Sequence, residues 1–416
     1  MVARWDVAFH QLFAGISSRM SIAVPRGFRL AGVHCGIKSN PTKPDLALVV
    51  TDAPAVAAGV YTQNKVFAAP VGWNRSHTPS RDIRAIVINS GNANACTGPR
   101  GDEDAATMAR LAGAVVGAAP AEALVLSTGV IGKFLPMEKI AAGIAEAARQ
   151  LAADESHLLA AARGMLTTDT RHKVAGRRIV LANREVQLTG MAKGAAMIGP
   201  NMATMLGVVL TDAVLDEETA QRALTEAVDD SFNCISVDGH MSTNDTVLLV
   251  ASGAAGGGAL TAGDLAAFRA ALGQVCVELA RAIPADGEGA THLVTIDVTG
   301  AASRQAAHKI ARTIAESPLV KTAIAGADPN WGRIVSAVGY AGVPVDAAGI
   351  SLHVNGHLLY ERGAPVDFDA ADVSASIRDQ RDTHLAIDLT DGDGRVRFWT
   401  TDLTAEYVRL NADYHT

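Results

Sequence analysis

The sequence predicts an α/β protein. Three observations support this class: short apolar runs alternate with alanine-rich stretches of helical spacing, hydrophobic residues make up 49% of the 416 residues, and hairpin signals are concentrated in the last third. The alternation by itself would also fit an α+β protein. With charged residues at 19%, the composition is that of a densely packed folded chain and excludes global disorder, collagen and coiled coil. Its length corresponds to two or three units of about 150 residues.

The first elements are two short apolar runs that end in small polar residues, and we expect buried strands there, at 83–89 and 123–127. Between them, residues 102–117 begin with three acidic side chains, which favour a helix N-terminus through the helix dipole. Helical spacing also predicts helices at 137–165, as two pieces, and at 216–232, 262–283 and 305–317.

Two hairpins are predicted in the last third of the chain. In SLHVNGHLLY the turn is Asn355-Gly356, a pair that favours a two-residue hairpin loop. In HLAIDLTDGDGRVRFW the turn falls at 391–394.

Charge and composition exclude several function classes. The chain carries 36 Lys and Arg against 43 Asp and Glu, a net charge of −7 that is unfavourable for binding nucleic acid or an anionic membrane. We find no run of 18 apolar residues, and the N-terminal apolar stretch is interrupted by polar side chains, unlike a signal peptide. A cytoplasmic protein with reduced thiols is expected, because the cysteines form no CxxC pair: Cys35, Cys96, Cys234 and Cys276.

One segment, MAKGAAMIGPNMATMLGVVLTDA at 191–213, differs from ordinary core sequence. It reads as a loop up to Ala203, because glycine and proline punctuate it at Gly190, Gly194, Gly199 and Pro200. From Thr204 it becomes a buried apolar strand of about eight residues. A hydroxyl side chain therefore begins a core strand directly after a glycine- and proline-rich loop.

That position has a chemical use if the Ala203–Thr204 peptide is held under strain. The Thr204 hydroxyl can attack the Ala203 carbonyl, and water then cleaves the resulting ester. The new N-terminal amine, with an ordinary pKa of about 7.7–8.0, lies beside its own hydroxyl and can act as a general base. Without further context, a threonine that simply starts a core strand is the more common interpretation.

The context is supplied by a family resemblance. KGAAMIGPNMATML resembles the self-cleavage segment of the ornithine acetyltransferase family, the ArgJ type of glutamate N-acetyltransferase. The resemblance runs from about residue 20 to the C-terminus. It is carried by GFRLAGVHCGIK at 27–38, AGVYTQNKVFAAPV at 58–71, INSGNANACTG at 88–98, STGVIGKFLP at 127–136, TTDT at 167–170, CISVDGHMSTNDTVLL at 234–249, GADPNWGRI at 326–334 and NADYHT at 411–416.

The resemblance implies a ping-pong acetyl transfer. N2-acetylornithine acetylates Thr204, ornithine leaves, and glutamate takes the acetyl group. Thr128 and Gly129 match the oxyanion-stabilising pair of the family, and glycine would let a backbone N–H approach the oxyanion closely. Substrate contacts carry over to Thr167, Lys193, Thr204, Glu288, Asn411 and Thr416.

Two of these residues have a charge that suits the substrates. Lys193 is the candidate for a substrate carboxylate, and Glu288 is the candidate for the δ-ammonium of ornithine. Taken alone, both would be interpreted as solvated charges, and Asn411 and Thr416 as part of a frayed tail. Their use requires the C-terminus to fold back over the pocket.

The resemblance also implies the organisation of the chain. Residues 1–19 have no counterpart and are interpreted as an extension or a mis-assigned start. Residues 20–203 form an α chain, and residues 204–416 form a β chain that begins at the nucleophile. The implied fold is of the self-cleaving N-terminal-nucleophile type, with a layered helix–sheet–sheet–helix core and a smaller C-terminal α/β unit. An α2β2 assembly is expected, and no metal or organic cofactor, because Thr204 itself carries the acetyl group.

Several alternatives stay open. An amidohydrolase or aminopeptidase of the same fold differs only in using water as the acceptor, and a non-enzymatic metabolite-binding scaffold needs no cleavage. Acetyl-CoA is a second donor for some family members and not for others. The chain has Arg171-His172-Lys173 where the family usually has proline before lysine, which leaves the local loop shape open. No role is assigned to Asn92, Asn94 or Cys96.

Overall fold

The secondary structure follows from a computed structural model that describes residues 19–181, 183–199, 205–258 and 260–413. Its strands are β1 (Arg19–Met20), β2 (Phe28–Val33), β3 (Leu46–Tyr61), β4 (Ser80–Asn92), β5 (Ala123–Val130), β6 (Lys173–Leu181), β7 (Arg184–Lys193), β8 (Leu206–Thr211), β9 (Thr246–Ala251), β10 (Leu293–Ala301), β11 (Ser351–Val354), β12 (His357–Glu361), β13 (Ala364–Pro365), β14 (Asp382–Asp388) and β15 (Gly394–Thr401).

Its helices surround two sheets. They are α1 (Ala69–Ser76), α2 (Gly98–Ala114), α3 (Met137–Arg149), α4 (Glu155–Gly164), α5 (Glu217–Asp229), α6 (Ala262–Ala282), α7 (Arg304–Glu316), α8 (Pro318–Ala325), α9 (Trp331–Gly339), α10 (Ala370–Arg378) and α11 (Ala405–Asp413). In the described part of the chain, no helix combines the length and the apolar composition that a bilayer span requires.

The long strand β3 folds the larger sheet over on itself. The order in this sheet is β1-β6-β7-β8-β9-β3-β4-β5, with β2 also paired to β3. The first half of β3 pairs with β2 and its second half with β9, and the register against β4 shifts between Val50 and Ala55. An irregularity of this kind bends a strand and increases its twist. The two halves of the sheet therefore form two layers that share β3.

Alternating side chains fill the space between these layers. Val208 on β8 and Ile86 on β4 belong to one buried cluster between the layers. Their neighbours Val209 and Val87 point outward, the first to a cluster that includes α5 and α6, the second to a cluster that includes α2 and α3. Burying such a side chain contributes roughly 1.5–3 kcal/mol. These three clusters confirm the predicted helix–sheet–sheet–helix core.

A second sheet, in the order β13-β12-β11-β14-β10-β15, forms the smaller C-terminal α/β unit that was predicted. Its residues Ile296 and Phe398 share one buried cluster with Leu272 of α6. Ile235 also bridges to Trp399 of β15 in parallel. The C-terminal unit thus packs directly on the outer helical layer of the core.

One predicted hairpin is confirmed and the other is wrong. Val354 pairs with His357 around Asn355-Gly356, whose φ angles of 48° and 87° are those of a left-handed two-residue turn. By contrast, β14 and β15 do not form the hairpin predicted at 391–394, because β10 lies between them, parallel to β14 and antiparallel to β15. A turn signal in the sequence predicts that the chain reverses direction, but it does not predict whether the two flanking strands pair with each other or with a third strand between them.

The other predicted elements agree with the structure to within a few residues. The strands at 83–89 and 123–127 are β4 and β5, and the helices are α2 to α7. Helix α2 begins earlier than predicted, at Gly98, with Pro99 in its first turn, a favoured proline position. The loop predicted from residue 191 begins only at Gly194, because β7 continues to Lys193. The predicted buried strand is β8, and Thr204 lies outside the described residues.

Candidate active site

A cavity of about 310 Å³ brings most of the predicted site residues together. It lies at the ends of β5 and β7, where the two layers meet. Its lining includes the predicted oxyanion pair and four of the predicted substrate contacts: Thr128, Gly129, Thr167, Lys193, Glu288 and Asn411. Ala203, Thr204 and Thr416 lie outside the described residues.

The position of Gly129 is possible only for glycine. Its φ is 133°, and a Cβ there would lie 2.3 Å from the carbonyl carbon of Gly91, its partner on β4. The strand end is held in place by Asn244, whose side-chain amide donates to the carbonyls of Ala93 (2.6 Å) and Ser127 (2.8 Å). The backbone at Thr128–Gly129 therefore reaches the cavity wall in one fixed conformation.

Lys193 is a buried cation on the opposite wall. Its side chain is 2% exposed, and Nζ donates to Oγ1 of Thr128 over 3.1 Å. Burial lowers the pKa of Lys193, while the negative charges of Asp169 and Glu288 act in the other direction. The lysine amine thus lies in a buried site where two nearby carboxylates oppose the effect of burial on its pKa.

A network of charges supports this lysine from behind. Asp169 accepts from the backbone N–H of Gly194 (2.7 Å), and its carboxylate also pairs with Lys173 (2.7 Å). Lys173 pairs in turn with Asp286 (2.7 Å). Burial acts to raise the pKa of Asp169, but the charges of Lys193 and Lys173 prevail and lower it to about 2. Asp169 is therefore a stable anion.

This network also fixes the loop whose shape the sequence left open. Asp169 accepts the backbone N–H of Thr167 (3.1 Å), and Thr170 binds Asp286 through both its backbone N–H (3.1 Å) and its hydroxyl. Lys173, the third residue of the Arg171-His172-Lys173 departure, is buried in the same network. Thr167 is thereby held in the cavity wall.

The C-terminal helix α11 folds back over the cavity. The side-chain amide of Asn411 donates to Oε2 of Glu288 over 3.0 Å. A Cβ at Gly289, where φ is 66°, would lie 2.4 Å from the backbone nitrogen of Tyr407, so the loop after Glu288 touches the helix directly. The Tyr407 hydroxyl donates to Asp238 (3.2 Å), which also accepts the backbone N–H of Met197 (2.7 Å). The predicted fold-back is present as far as Asp413.

The cavity has cationic and anionic parts, which suits a molecule that carries both charges. Its lysines are the buried Lys193, the partly buried Lys38 and the exposed Lys43, and Glu288 is the acid among the described lining residues. Lys38 donates to the carbonyls of Pro44 and Leu166 (2.7 Å each), and burial lowers its pKa to about 8. Among the described residues, no three His, Cys, Asp or Glu side chains are grouped as a metal site would require.

Sequence reasoning missed Lys38, Asn244 and Asp169 as site residues. Each lies inside a motif that carried the family resemblance, so the motif boundaries were the available signal. Nothing in the local pattern assigns a role, because each also has a partner that is distant in the chain: Leu166 for Lys38, Gly194 for Asp169 and Ala93 for Asn244.

Asn92 and Asn94, which were left without a role, shape a loop. The Asn92 side chain donates to the carbonyls of Lys133 (3.2 Å) and Phe134 (3.1 Å) and accepts the backbone N–H of Asn94 (2.9 Å). Cys96 is exposed and is not among the described residues that line the cavity. The two asparagine side chains thus stabilise the loop next to the site and are not among the described residues that line the cavity.

The family model and the sequence relatives that match this chain carry the same family name. A family model described as "ArgJ family" matches residues 29–416. "Arginine biosynthesis bifunctional protein ArgJ" of Rhodopirellula baltica is 46% identical over 399 residues, which are 95% of this chain and 97% of that protein. The protein of the same name from Symbiobacterium thermophilum is 45% identical over 398 residues, 95% of this chain and 98% of that one.

Two solved structures are similar to parts of the chain. The ArgJ of Bacillus halodurans is 41% identical with a TM-score of 0.48, over 49% of this chain and 96% of that one. The ornithine acetyltransferase of Mycobacterium tuberculosis, solved as a complex with ornithine, is 37% identical with a TM-score of 0.41, over 44% of this chain and 98% of that one.

Proposed function

This chain belongs to the ArgJ family, and we propose that it transfers an acetyl group from N2-acetylornithine to glutamate through an acetyl-Thr204 intermediate. It is an acetyltransferase of arginine biosynthesis. The observation that supports the mechanism is the convergence of Thr128, Gly129, Lys193 and Glu288 on one cavity, although they lie up to 160 positions apart in the sequence. Core packing alone would not collect these four residue types at one place.

The proposed chemistry begins with a peptide cleavage. Cleavage between Ala203 and Thr204 separates an α chain, 20–203 with any retained extension of 1–19, from a β chain, 204–416. It releases the α-amine of Thr204, which can take the proton of its own hydroxyl. The strand β8 begins two residues after Thr204, and its first residue, Leu206, pairs with Lys193. The proposed nucleophile thus lies two positions in the chain before a residue that pairs with Lys193 of the cavity wall.

In the transfer, Thr204 Oγ gives its proton to the Thr204 amine and attacks the acetyl carbonyl carbon. The amine then passes this proton to the α-nitrogen of ornithine, which leaves. The oxyanion of the tetrahedral intermediate is stabilised by Thr128 and Gly129, which Lys193 holds by the hydrogen bond to the Thr128 hydroxyl. Glu288 accepts hydrogen bonds from the δ-ammonium of ornithine, and Lys193 donates to the substrate carboxylate. Further substrate contacts come from Thr167, Asn411 and Thr416. Glutamate then attacks the acetyl-threonine with its α-nitrogen and restores the free hydroxyl.

Intact mass measurement with N-terminal sequencing of the purified protein tests the cleavage. We expect two polypeptides, one of them beginning at Thr204, and an uncut, inactive chain for Thr204→Ala. One unbroken polypeptide in active material would refute the mechanism.

A donor and acceptor assay then tests the reaction class. Glutamate should accelerate the release of ornithine from N2-acetylornithine, whereas a hydrolase of the same fold would release it at the same rate with or without glutamate. The non-enzymatic scaffold predicts no release at all. Acetyl-CoA in place of N2-acetylornithine tests the second donor, because the relatives named above are called bifunctional.

We also propose an α2β2 assembly and a cytoplasmic location. The four cysteines are free in the described structure, which suits a reducing compartment. Native mass spectrometry of the cleaved protein tests the assembly.

A further inference from the structure

The side-chain carboxylate of the acceptor has no partner in the proposed mechanism. N2-acetylornithine carries one carboxylate and one δ-ammonium, for which Lys193 and Glu288 are the proposed partners. Glutamate carries two carboxylates and no side-chain cation. Among the charged residues of the described cavity lining, Lys38 and Lys43 have no substrate group assigned to them. A lysine ammonium is a strong hydrogen-bond partner for a carboxylate, so the cavity holds positive charge that the donor does not use.

Lys38 is the better placed of these two lysines. It is partly buried, whereas Lys43 is exposed, and an ion pair formed in contact with solvent contributes little to binding. The amine of Lys38 donates to the carbonyls of Pro44 and Leu166 over 2.7 Å each. A lysine ammonium has three N–H donors, and the hydrogen bonds that Lys38 forms within the described residues use two of them. The remaining N–H is a donor for a substrate carboxylate.

The backbone and the stem of Lys38 are held in place as well as its amine. The buried carboxylate of Asp45 accepts the backbone N–H of Lys38 (2.9 Å) and that of Cys35 (2.6 Å). A Cβ at Gly91, where φ is 105°, would lie 3.2 Å from Cγ of Lys38. Gly91 is the strand partner of Gly129 in the proposed oxyanion pair. The stem of Lys38 therefore packs against the residue that lies beside the proposed reaction centre.

The amine of Lys38 also lies close to two proposed substrate contacts. Leu166, whose carbonyl accepts from this amine, directly precedes Thr167 in the chain. Burial lowers the pKa of Lys38 to about 8, and the charge of Lys193 acts in the same direction, while the charge of Asp45 opposes them. A carboxylate bound at the Lys38 amine would counter both effects, because it favours the charged form of the lysine. An anionic ligand group therefore suits this position.

We propose that Lys38 binds the side-chain carboxylate of the acceptor and so selects glutamate over amino acids with a neutral side chain. This inference rests on the proposed function. Lys193 then binds the α-carboxylate of either substrate, and Glu288 binds the δ-ammonium of the donor. The two side-chain partners come from different segments, since Lys38 lies between β2 and β3 and Glu288 lies just before β10. One cavity can therefore accept side chains of opposite charge in successive half-reactions.

The test compares glutamate with glutamine, which has the same shape and a neutral amide in place of the side-chain carboxylate. In a ping-pong reaction, kcat/KM for the acceptor reports only the second half-reaction, so the ratio of the two acceptors isolates the contact to that carboxylate. Lys38→Met removes the charge and keeps most of the side-chain length. Lys38→Gln removes the charge but keeps an N–H donor for the neighbouring carbonyls. Release of ornithine from N2-acetylornithine measures the first half-reaction of each variant.

Lys139→Met is the matched control for a purely structural effect. Lys139 is an exposed lysine of α3 whose amine donates to the carbonyl of Gly36 over 2.8 Å, so it holds the same loop as Lys38 through a backbone carbonyl. It is not among the described residues that line the cavity. Loosening of the loop alone would therefore affect Lys139→Met as well, and it would affect both acceptors alike.

We expect kcat/KM of the natural chain to be at least about 10-fold higher for glutamate than for glutamine, because a hydrogen bond between charged groups changes binding by about 10- to 100-fold. Both Lys38 variants should lose most of this preference with little change in ornithine release, and Lys139→Met should keep it.

A Lys38 variant that keeps the full preference for glutamate would overturn the inference and leave the proposed function intact. Equal use of glutamate and glutamine by the natural chain would also overturn it, and this measurement does not depend on the folding of a variant. A natural chain that transfers acetyl groups to neither acceptor would instead refute the proposed function.

Discussion

Lys193 on β7 donates a hydrogen bond to the hydroxyl of Thr128 on β5, and this 3.1 Å contact joins the two layers of the folded sheet. Both residues lie on the N-terminal side of the proposed cut. That cut would therefore leave the candidate oxyanion group and Lys193 on one chain and place the nucleophile on the other.

Replacing Lys193 by methionine removes the cation and keeps most of the volume. A hydrogen bond to a charged group is worth about 1.5–3 kcal/mol, so we expect kcat/KM for N2-acetylornithine to fall about 10- to 100-fold. The control is Lys309→Met, at an exposed lysine of α7 in the C-terminal unit. Equal losses in both variants would show that Lys193 has no special role in binding.

Gly129→Ala should lower turnover by at least about 100-fold, because the added carbon would displace the backbone at the proposed oxyanion site. Gly132→Ala separates strain from crowding. Gly132 also has a positive φ, of 77°, but a Cβ there would meet no atom of the described residues within 4 Å. Steady-state kinetics of both variants test this prediction. A similar loss of turnover in both would show that backbone strain, and not crowding at the oxyanion site, causes the effect.

Glu288→Gln tests the two half-reactions separately. The donor carries a δ-ammonium and the acceptor glutamate does not, so KM should rise about 10-fold for N2-acetylornithine and change much less for glutamate. Asn411 can still donate to the remaining carbonyl oxygen. Glu361→Gln, at an exposed acid of β12, is the control. An equal rise in both KM values would contradict the assignment of Glu288 to the δ-ammonium.

Removing residues 411–416 should reduce turnover without preventing self-cleavage, because Asn411 contacts Glu288 in the cavity wall and the proposed cut lies far away in sequence. Asn411→Ala should reproduce part of the loss. Val408→Ala, on an exposed side chain of the same helix, should behave like the natural protein. Unchanged turnover of the truncated chain would remove Asn411 and Thr416 from the site.

The pH dependence of stability reports on Asp169. Its pKa is lowered to about 2 in the folded protein, against 3.8 for the ordinary group, so its stabilising effect is present above about pH 4 and is lost as the pH falls through 2. The loss amounts to about 2 kcal/mol. Urea unfolding of the natural chain and of Asp169→Asn from pH 5 to about pH 2 measures it. Parallel curves for the two proteins would argue against the ion pair with Lys173.

The sequence was sufficient for most elements of the core because each helix has its own periodicity and each strand its own apolar run. It was insufficient for the pairing of β10 between β14 and β15, since a parallel partner about 90 residues away leaves no mark on the local pattern. The bend of β3 was likewise hidden. The register shift that folds the sheet involves only a few residues around Val50 and Ala55.

Some residues of the candidate site could likewise be predicted from the sequence, and others could not. Thr128, Gly129 and Lys193 were predicted through whole motifs and Glu288 through the family resemblance alone, and the structure brings all four to one cavity. Asp169 was not singled out, because a buried aspartate looks like any surface aspartate until its neighbours are known. One of those neighbours, the backbone N–H of Gly194, is 25 residues away in the chain.

The two ladders that flank the β8–β9 pair have a consequence for the proposed cut. Six residue pairs join β7 to β8, and a further six join β3 to β9, so both seams connect residues before Thr204 to residues after it. The two products of the proposed cleavage would therefore stay paired through the middle of a sheet. Their separation would require both ladders to break, so we expect the fragments to remain associated after the cut.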